Sequence, residues 1–291
     1  MDPLLRHGNH YPPRIPTGSE ACMSDFLTFF ALTAVMGLSI FISLPLIMSR
    51  RVPVAWIVMF SAVAIGILIF LIADIFSDVA SVNVGSAQYL TNPTLDALFV
   101  GGVALAYVIL YFIDNRAPAL AKAEGQESSI GEFNPSRVAL IIAIGMGFQN
   151  LTEGLVFGFN WVAGNVTLLA VIFVGFFVQN ITEGFPIGAP FMGRAERPRG
   201  RIVAYFMIGG LTTILGGVVG YLLGTNPGAY YTQILVFFDA IAIGALVYVI
   251  LPMIRVAFRK EGTPMTHFSK QRLVYFGVLA GFLLGFVVNS F

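Results

Sequence analysis

Eight runs of about 20 apolar residues constrain this chain more than any other feature, because a run of that length matches the hydrocarbon thickness of a bilayer. They occupy residues 26–48, 54–76, 97–113, 138–159, 166–191, 202–223, 234–257 and 273–291. The breaks between them carry turn or charge signals. These are Arg50-Arg51-Val52-Pro53, Thr91-Asn92-Pro93, a polar stretch at 114–137, residues 193–201, Asn226-Pro227-Gly228 and residues 259–272. In lipid a segment must satisfy its own backbone hydrogen bonds, so each run is expected to be a helix. Composition agrees: 57% of the 291 residues are hydrophobic and only 11% are charged, against about a quarter in soluble domains. The expected fold class is all-α, a polytopic membrane protein of eight transmembrane helices over residues 25–291.

Residues 1–24 are polar and rich in Pro, Gly and His, without the basic start and apolar core of a cleaved leader. They are expected to be a disordered tail, with His7 and His10 solvated. Residues 114–137 are expected to form a flexible cytoplasmic loop between the third and fourth spans. Cys22 is the only cysteine, which excludes an internal disulfide and a thiolate metal site. A net charge of +1 gives no nucleic-acid signal.

Basic residues fix the expected orientation. Apart from Arg6 and Arg14 in the tail, the Lys and Arg residues, 14 of the 16, fall in the connections after spans one, three, five and seven. The connections after spans two, four and six have none. By the positive-inside rule the arginine-rich loops are cytoplasmic and both termini lie outside the cell membrane. One missed or invented span would scramble this alternation.

Ionisable groups inside a span are costly and mark pathways or paired sites. Here they are Asp74 and Asp78 near the end of span two, Glu153 in span four, Glu183 in span five and Asp239 early in span seven. No Lys, Arg or His lies deep in a span, so each acid is either protonated or partnered by a bound cation. The surroundings of the glutamates favour the cation. "GFQNLTEGLVFG" and "GFFVQNITEGFPIG" share Gln-Asn-x-Thr-Glu-Gly, with Gln149 and Gln179 30 residues apart. Helical spacing puts Gln149, Asn150 and Glu153 on one face about a turn high, and Gln179, Asn180 and Glu183 likewise. Adjacent spans are antiparallel, so the copies should be related by a pseudo-twofold axis in the membrane plane, facing each other at mid-depth. That is the inverted-repeat arrangement of secondary transporters. The competing role for such residues is simple interhelical hydrogen bonding. Gly154 and Gly184 are expected to permit close packing, and Pro186 and Pro190 to kink span five. Asp74, Asp78 and Asp239 could form an acidic vestibule that concentrates cations.

At these residues the chain resembles the ZIP (Zrt/Irt-like) family of divalent-metal transporters. That family has eight spans, outside termini, a cytoplasmic loop between spans three and four, and His-Asn-x-Pro-Glu-Gly-type motifs in spans four and five. "GILIFLIADIFSD" is similar to its second helix. The resemblance implies an inverted-repeat ZIP-like bundle with a primary metal site at Gln149, Glu153, Gln179 and Glu183, and a secondary site adding Asn150 and Asn180. The chain departs from the family at Gln149 (usually His), at Thr152 and Thr182 (usually Pro), at Thr213 and at Pro252-Met253, where acids are common.

Two carboxylates with amide oxygens make a harder site than zinc's usual imidazole and thiolate, better matched to Mn²⁺ or Fe²⁺ within the Zn/Fe/Mn class. The expected function is secondary transport of divalent cations by alternating access, with metal as cargo and no resident cofactor. An alternative is a carrier of the same fold that couples protons to a non-metal solute. A membrane enzyme is the third reading, but acids without nearby His, Lys or Arg equip one poorly. The expected partners are the divalent metal ion, the lipid bilayer and no nucleic acid. The glycine-rich "GGLTTILGGVVG" permits a homodimer or close intramolecular packing.

Overall fold

The computed structural model describes residues 19–49, 53–83, 92–123, 134–164, 166–191, 198–225, 230–258 and 267–289. Among these there is no strand. The helices are α1 (Ser19–Leu38), α2 (Leu44–Met48), α3 (Val54–Asn83), α4 (Pro93–Ala123), α5 (Pro135–Ala163), α6 (Val166–Gly188), α7 (Arg199–Thr225), α8 (Tyr231–Phe258) and α9 (His267–Asn289). Eight helical segments among the described residues are long and apolar enough to cross a membrane. They coincide with the eight expected runs, so the chain is a multi-pass α-helical membrane protein. The third run, the shortest in sequence, lies in a candidate span of 24 residues, Pro93–Arg116.

Three boundaries differ from expectation. α1 begins at Ser19, inside the expected tail; His7 and His10 lie outside the described residues. α4 continues to Ala123, so the first part of the expected loop is helical. Its Ala-rich sequence Ala117-Pro118-Ala119-Leu120-Ala121-Lys122-Ala123 has high helix propensity apart from the proline. The first span is also broken. Between α1 and α2 the chain tightens into a 3-10 turn, Ser39–Ser43. Pro45, in the first turn of α2, has no N–H to continue the ladder from the preceding turn. Ser39 Oγ donates to the Met36 carbonyl at 2.7 Å and lies 3.0 Å from the Phe177 carbonyl of α6; Ser43 Oγ donates to the Ile40 carbonyl at 2.8 Å. In span five the α-form runs through Pro186. It ends at Gly188, two residues further on, and continues as a 3-10 turn, Ala189–Phe191.

The helices sort into two sets. α1, α5, α6 and α7 pack together, most extensively α5 on α7; α3, α4, α8 and α9 form the second set, led by α3 on α9 and α4 on α8. Contacts of α5 with α8 and of α3 with α6 join them. Glycines allow the α5–α7 approach. A Cβ at Gly154 would strike the Thr213 carbonyl and one at Gly158 the Gly217 carbonyl, while Cβ atoms at Gly216 and Gly220 would strike the carbonyls of Leu151 and Leu155. This is the small-residue packing by which membrane helices approach closely. Gly210 likewise faces the Gly37 carbonyl, so much of the glycine-rich stretch of α7 is spent inside the chain.

Two clusters fix helix direction. Val79, Leu95 and Val236 pack together, joining the end of α3 to the starts of α4 and α8. At the opposite end, Asp114 of α4 pairs with Arg137 at the start of α5 (Nε–Oδ1, 2.6 Å) and accepts a hydrogen bond from Tyr248 of α8 at 2.8 Å. α3, α4 and α5 therefore run in alternate directions and α8 runs parallel to α4, in agreement with the arginine distribution.

Candidate functional site

α5 and α6 form a hairpin that sets the site's depth. Its turn is Gly164, with φ 74°, a left-handed conformation that glycine adopts without strain. The Gly164 N–H reaches the carbonyls of Asn160 and Trp161 at 3.2 and 3.1 Å, closing α5. Gln149 and Gln179 each lie 15 residues from Gly164, so the antiparallel arms bring them level. Gln149 is the central residue of α5.

The six motif side chains converge there in the protein interior. Relative exposures are 1% for Gln149, 5% for Glu153, 6% for Gln179, 1% for Glu183 and 0% for Asn150 and Asn180, so neither lipid nor bulk water reaches them. Gln149 Nε2 donates to Glu153 Oε1 at 2.5 Å. The equivalent bond in the second copy runs from Gln179 Nε2 to Glu183 Oε1 at 2.9 Å. Gln179 Nε2 also donates to Glu153 Oε1, so one amide nitrogen bridges the two carboxylates. The amides of Gln149 and Asn150 lie near the Glu183 carboxyl.

The asparagines repeat a second pattern. Asn150 Nδ2 donates to the Gly209 carbonyl of α7 at 3.3 Å, and Asn180 Nδ2 to the Met36 carbonyl of α1 at 3.2 Å. Each asparagine thus anchors its copy to a different neighbouring helix. The threonines that stand where the resembled family has proline bond backward: Thr182 Oγ1 donates to the Gln179 carbonyl at 2.7 Å. Thr152 Oγ1 lies 3.3 Å from the Phe148 carbonyl and 3.2 Å from the Phe238 carbonyl of α8.

All the amide N–H groups described above point at acceptors, which leaves oxygens over. Gln149 Oε1, Asn150 Oδ1, Glu153 Oε2, Asn180 Oδ1 and Glu183 Oε2 are buried and have no hydrogen-bond partner. Thr213 Oγ1 is another such atom, on the α7 face that meets Gly154 and Gly37. An orphaned buried acceptor costs about 1–3 kcal/mol, and native interiors hold few of them. Five of them lie on the motif side chains, two on the glutamates, an arrangement that suits either protonated acids or a bound cation. The one Lys, Arg or His side chain buried among the described residues is Lys270, at the start of α9. No group of three His, Cys, Asp or Glu that could hold a metal occurs among the described residues. The donors the cluster offers are two carboxyl groups and amide oxygens.

Gly184 and Gly154 serve packing, as expected. A Cβ on Gly184 would collide with Ser43 Oγ and lie 2.8 Å from the Phe206 ring. The three aspartates are separate from the cluster in sequence. Asp74 and Asp78 sit one turn apart on α3, whose candidate span Val58–Ser77 includes Asp74 and ends just before Asp78. Asp74 and Asp239 are half-buried and each is engaged by the protein; the Asp78 side chain lies outside the described residues. Asp239 follows Phe238, whose carbonyl meets Thr152, so its backbone lies within a turn of the Glu153 level on the adjacent helix.

Sequence reasoning missed three contributors: the carbonyls of Met36 and Gly209 and the break in the first span. Pro45 and the paired serines were the available signal for the break. The carbonyls carry none, because every residue has one.

The fold and site define a class: a multi-pass helical membrane protein with a buried, oxygen-rich acidic centre shared by two antiparallel helices. Compared with models of known protein families and with curated proteins, the chain matches none.

Proposed function

We propose that this protein is a secondary transporter that moves divalent metal cations of the Zn/Fe/Mn class across the membrane by alternating access. The cargo would be held by Gln149, Asn150, Glu153, Gln179, Asn180 and Glu183. The observation that carries the reading is the cluster of five partnerless buried oxygens around two carboxylates at the middle of the α5–α6 hairpin. Two glutamates neutralise a divalent ion, which makes its passage at mid-depth tolerable. Amide oxygens are weak enough ligands to release it again. The resemblance of the paired motifs to the ZIP family supports the same reading. Carboxylate and amide oxygens favour Mn²⁺ and Fe²⁺ over Zn²⁺.

The arginine distribution supports both termini outside a cell membrane, with Asp74 and Asp78 on the outer approach and Asp239 closer to the glutamates. The chain acts as a carrier and not as an enzyme, and a homodimer is compatible with its lipid-facing surface.

Uptake of Mn²⁺ into proteoliposomes tests this reading. Wild-type protein should take up the ion, and Glu153→Ala and Glu183→Ala should each reduce uptake by at least about a hundredfold, the loss of a charged ligand. Variants that transport as well as wild type would remove the site assignment. A second reading is favoured by the lack of any three-member His, Cys, Asp or Glu cluster among the described residues: proton-coupled movement of a non-metal solute, with the glutamates as relays. Solute uptake that follows a pH gradient and ignores metals would establish it.

A further inference from the structure

We propose that Gln179 is a two-position switch, its amide nitrogen standing in for the cargo between Glu153 and Glu183 and its amide oxygen turning inward when a cation takes that place. The proposal rests on the transport reading above and assigns a role to one residue within it.

The geometry separates Gln179 from the other motif residues. Its Nε2 donates to Oε1 of both glutamates, across the two helices, whereas Gln149 Nε2 donates to Glu153 within its own helix and its amide only lies near the Glu183 carboxyl. Gln179 is also the one of the six whose side-chain oxygen is not among the fully buried, partnerless atoms; the other five each leave an oxygen orphaned in the interior. A cation between the carboxylates and the Gln179 N–H₂ group compete for the same acceptor oxygens, so both cannot hold them. A carboxamide resolves this by rotating about its terminal torsion, which is broad and nearly two-fold, exchanging two donors for an acceptor. The protein can then cycle with or without cargo while the glutamates keep a partner.

This function requires both faces of the amide. A carboxylate at 179 offers only acceptors, so it strengthens the loaded state and leaves three acids facing each other when no cation is present. A carrier returning without cargo must pass through that cation-free arrangement. A carrier exchanging one ion for another need not.

The test compares net Mn²⁺ uptake with Mn²⁺–Mn²⁺ exchange in proteoliposomes, for wild type, Gln179→Glu and Gln149→Glu. Gln149→Glu adds the same charge and leaves the Gln179 bridge in place. Gln179→Glu should keep exchange within about threefold of wild type while net uptake falls at least about tenfold, corresponding to loss of hydrogen bonds to charged groups. Gln149→Glu should show a clearly smaller split. Equal loss of both activities in Gln179→Glu, equal splits in the two variants, or no split in either would overturn the switch. Gln179→Met, similar in size and without either polar face, guards against misfolding of the charged variant. It too should lose net uptake more than exchange, and proportional losses count against the proposal. Wild-type protein that takes up no metal would overturn the transport reading and the switch with it, whereas transport without the split overturns the switch alone.

Discussion

At the scale of single residues, the site is built against stability. Two carboxylates are held side by side in the interior with one oxygen each unpartnered, and such buried charge lowers stability unless compensated. Functional sites often carry this trade-off. Glu153→Gln and Glu183→Gln should therefore abolish cation uptake and yet melt higher than wild type in chelator-containing buffer, by the equivalent of about 1–2 kcal/mol. A thermal-shift measurement in detergent checks it; a lower melting temperature for both variants would mean that the acids stabilise the fold. The pairing of these residues was legible in the sequence because Gln-Asn-x-Thr-Glu-Gly occurs twice. The direction of the hydrogen bonds was not. An amide reads the same in sequence whether its nitrogen or its oxygen faces the acid, and only the neighbouring carbonyls of Met36 and Gly209 fix the asparagine orientations.

At the scale of elements, close approach of α5 and α7 positions the fourth-span copy of the motif. Gly154→Ala places a methyl group against the backbone of Thr213 and Gly217, and such overpacking costs about 1–3 kcal/mol. Gly101 of α4 has open space around its Cβ position, so Gly101→Ala should be neutral or stabilising by up to about 1 kcal/mol, the helix propensity gain. Melting the two variants in parallel separates packing from propensity. Asp114 ties α4, α5 and α8 through Arg137 and Tyr248. Because the ion pair is partly exposed, Asp114→Asn should cost only about 1 kcal/mol. The helices themselves were legible because apolar length and flanking breaks suffice to define a span. The 3-10 break at Ser39–Ser43 and the extension of α4 to Ala123 were not. Apolar length alone reads through the first despite Ser39, Ser43 and Pro45, and the second combines alanines with Pro118 and charged residues, so a span-length signal marks neither.

At the scale of the whole molecule, the two helix sets meet at the site: α5 and α6 belong to one, and α3 and α8 of the other pack on them. Cargo that binds this folded arrangement and not the unfolded chain must stabilise it. Mn²⁺ at a hundred times its dissociation constant should raise stability by about 2.7 kcal/mol, an increase that Glu153→Gln removes and that Mg²⁺ reproduces only weakly. Arginine placement implies that the spans alternate in direction, and the clusters of Val79, Leu95 and Val236 and of Asp114, Arg137 and Tyr248 agree with it for α3, α4, α5 and α8. How the spans group into sets was not legible, since it depends on which glycine faces which carbonyl.

The most direct test of the central claim, that the paired motif is a cation site, is to count Mn²⁺ bound to purified protein from the electron paramagnetic resonance signal of the ion left in solution. Wild-type protein should deplete that signal by a single ion per chain, and the Glu153→Gln, Glu183→Gln double variant should leave it unchanged. Equal depletion by both proteins, or none by wild type, would contradict the account.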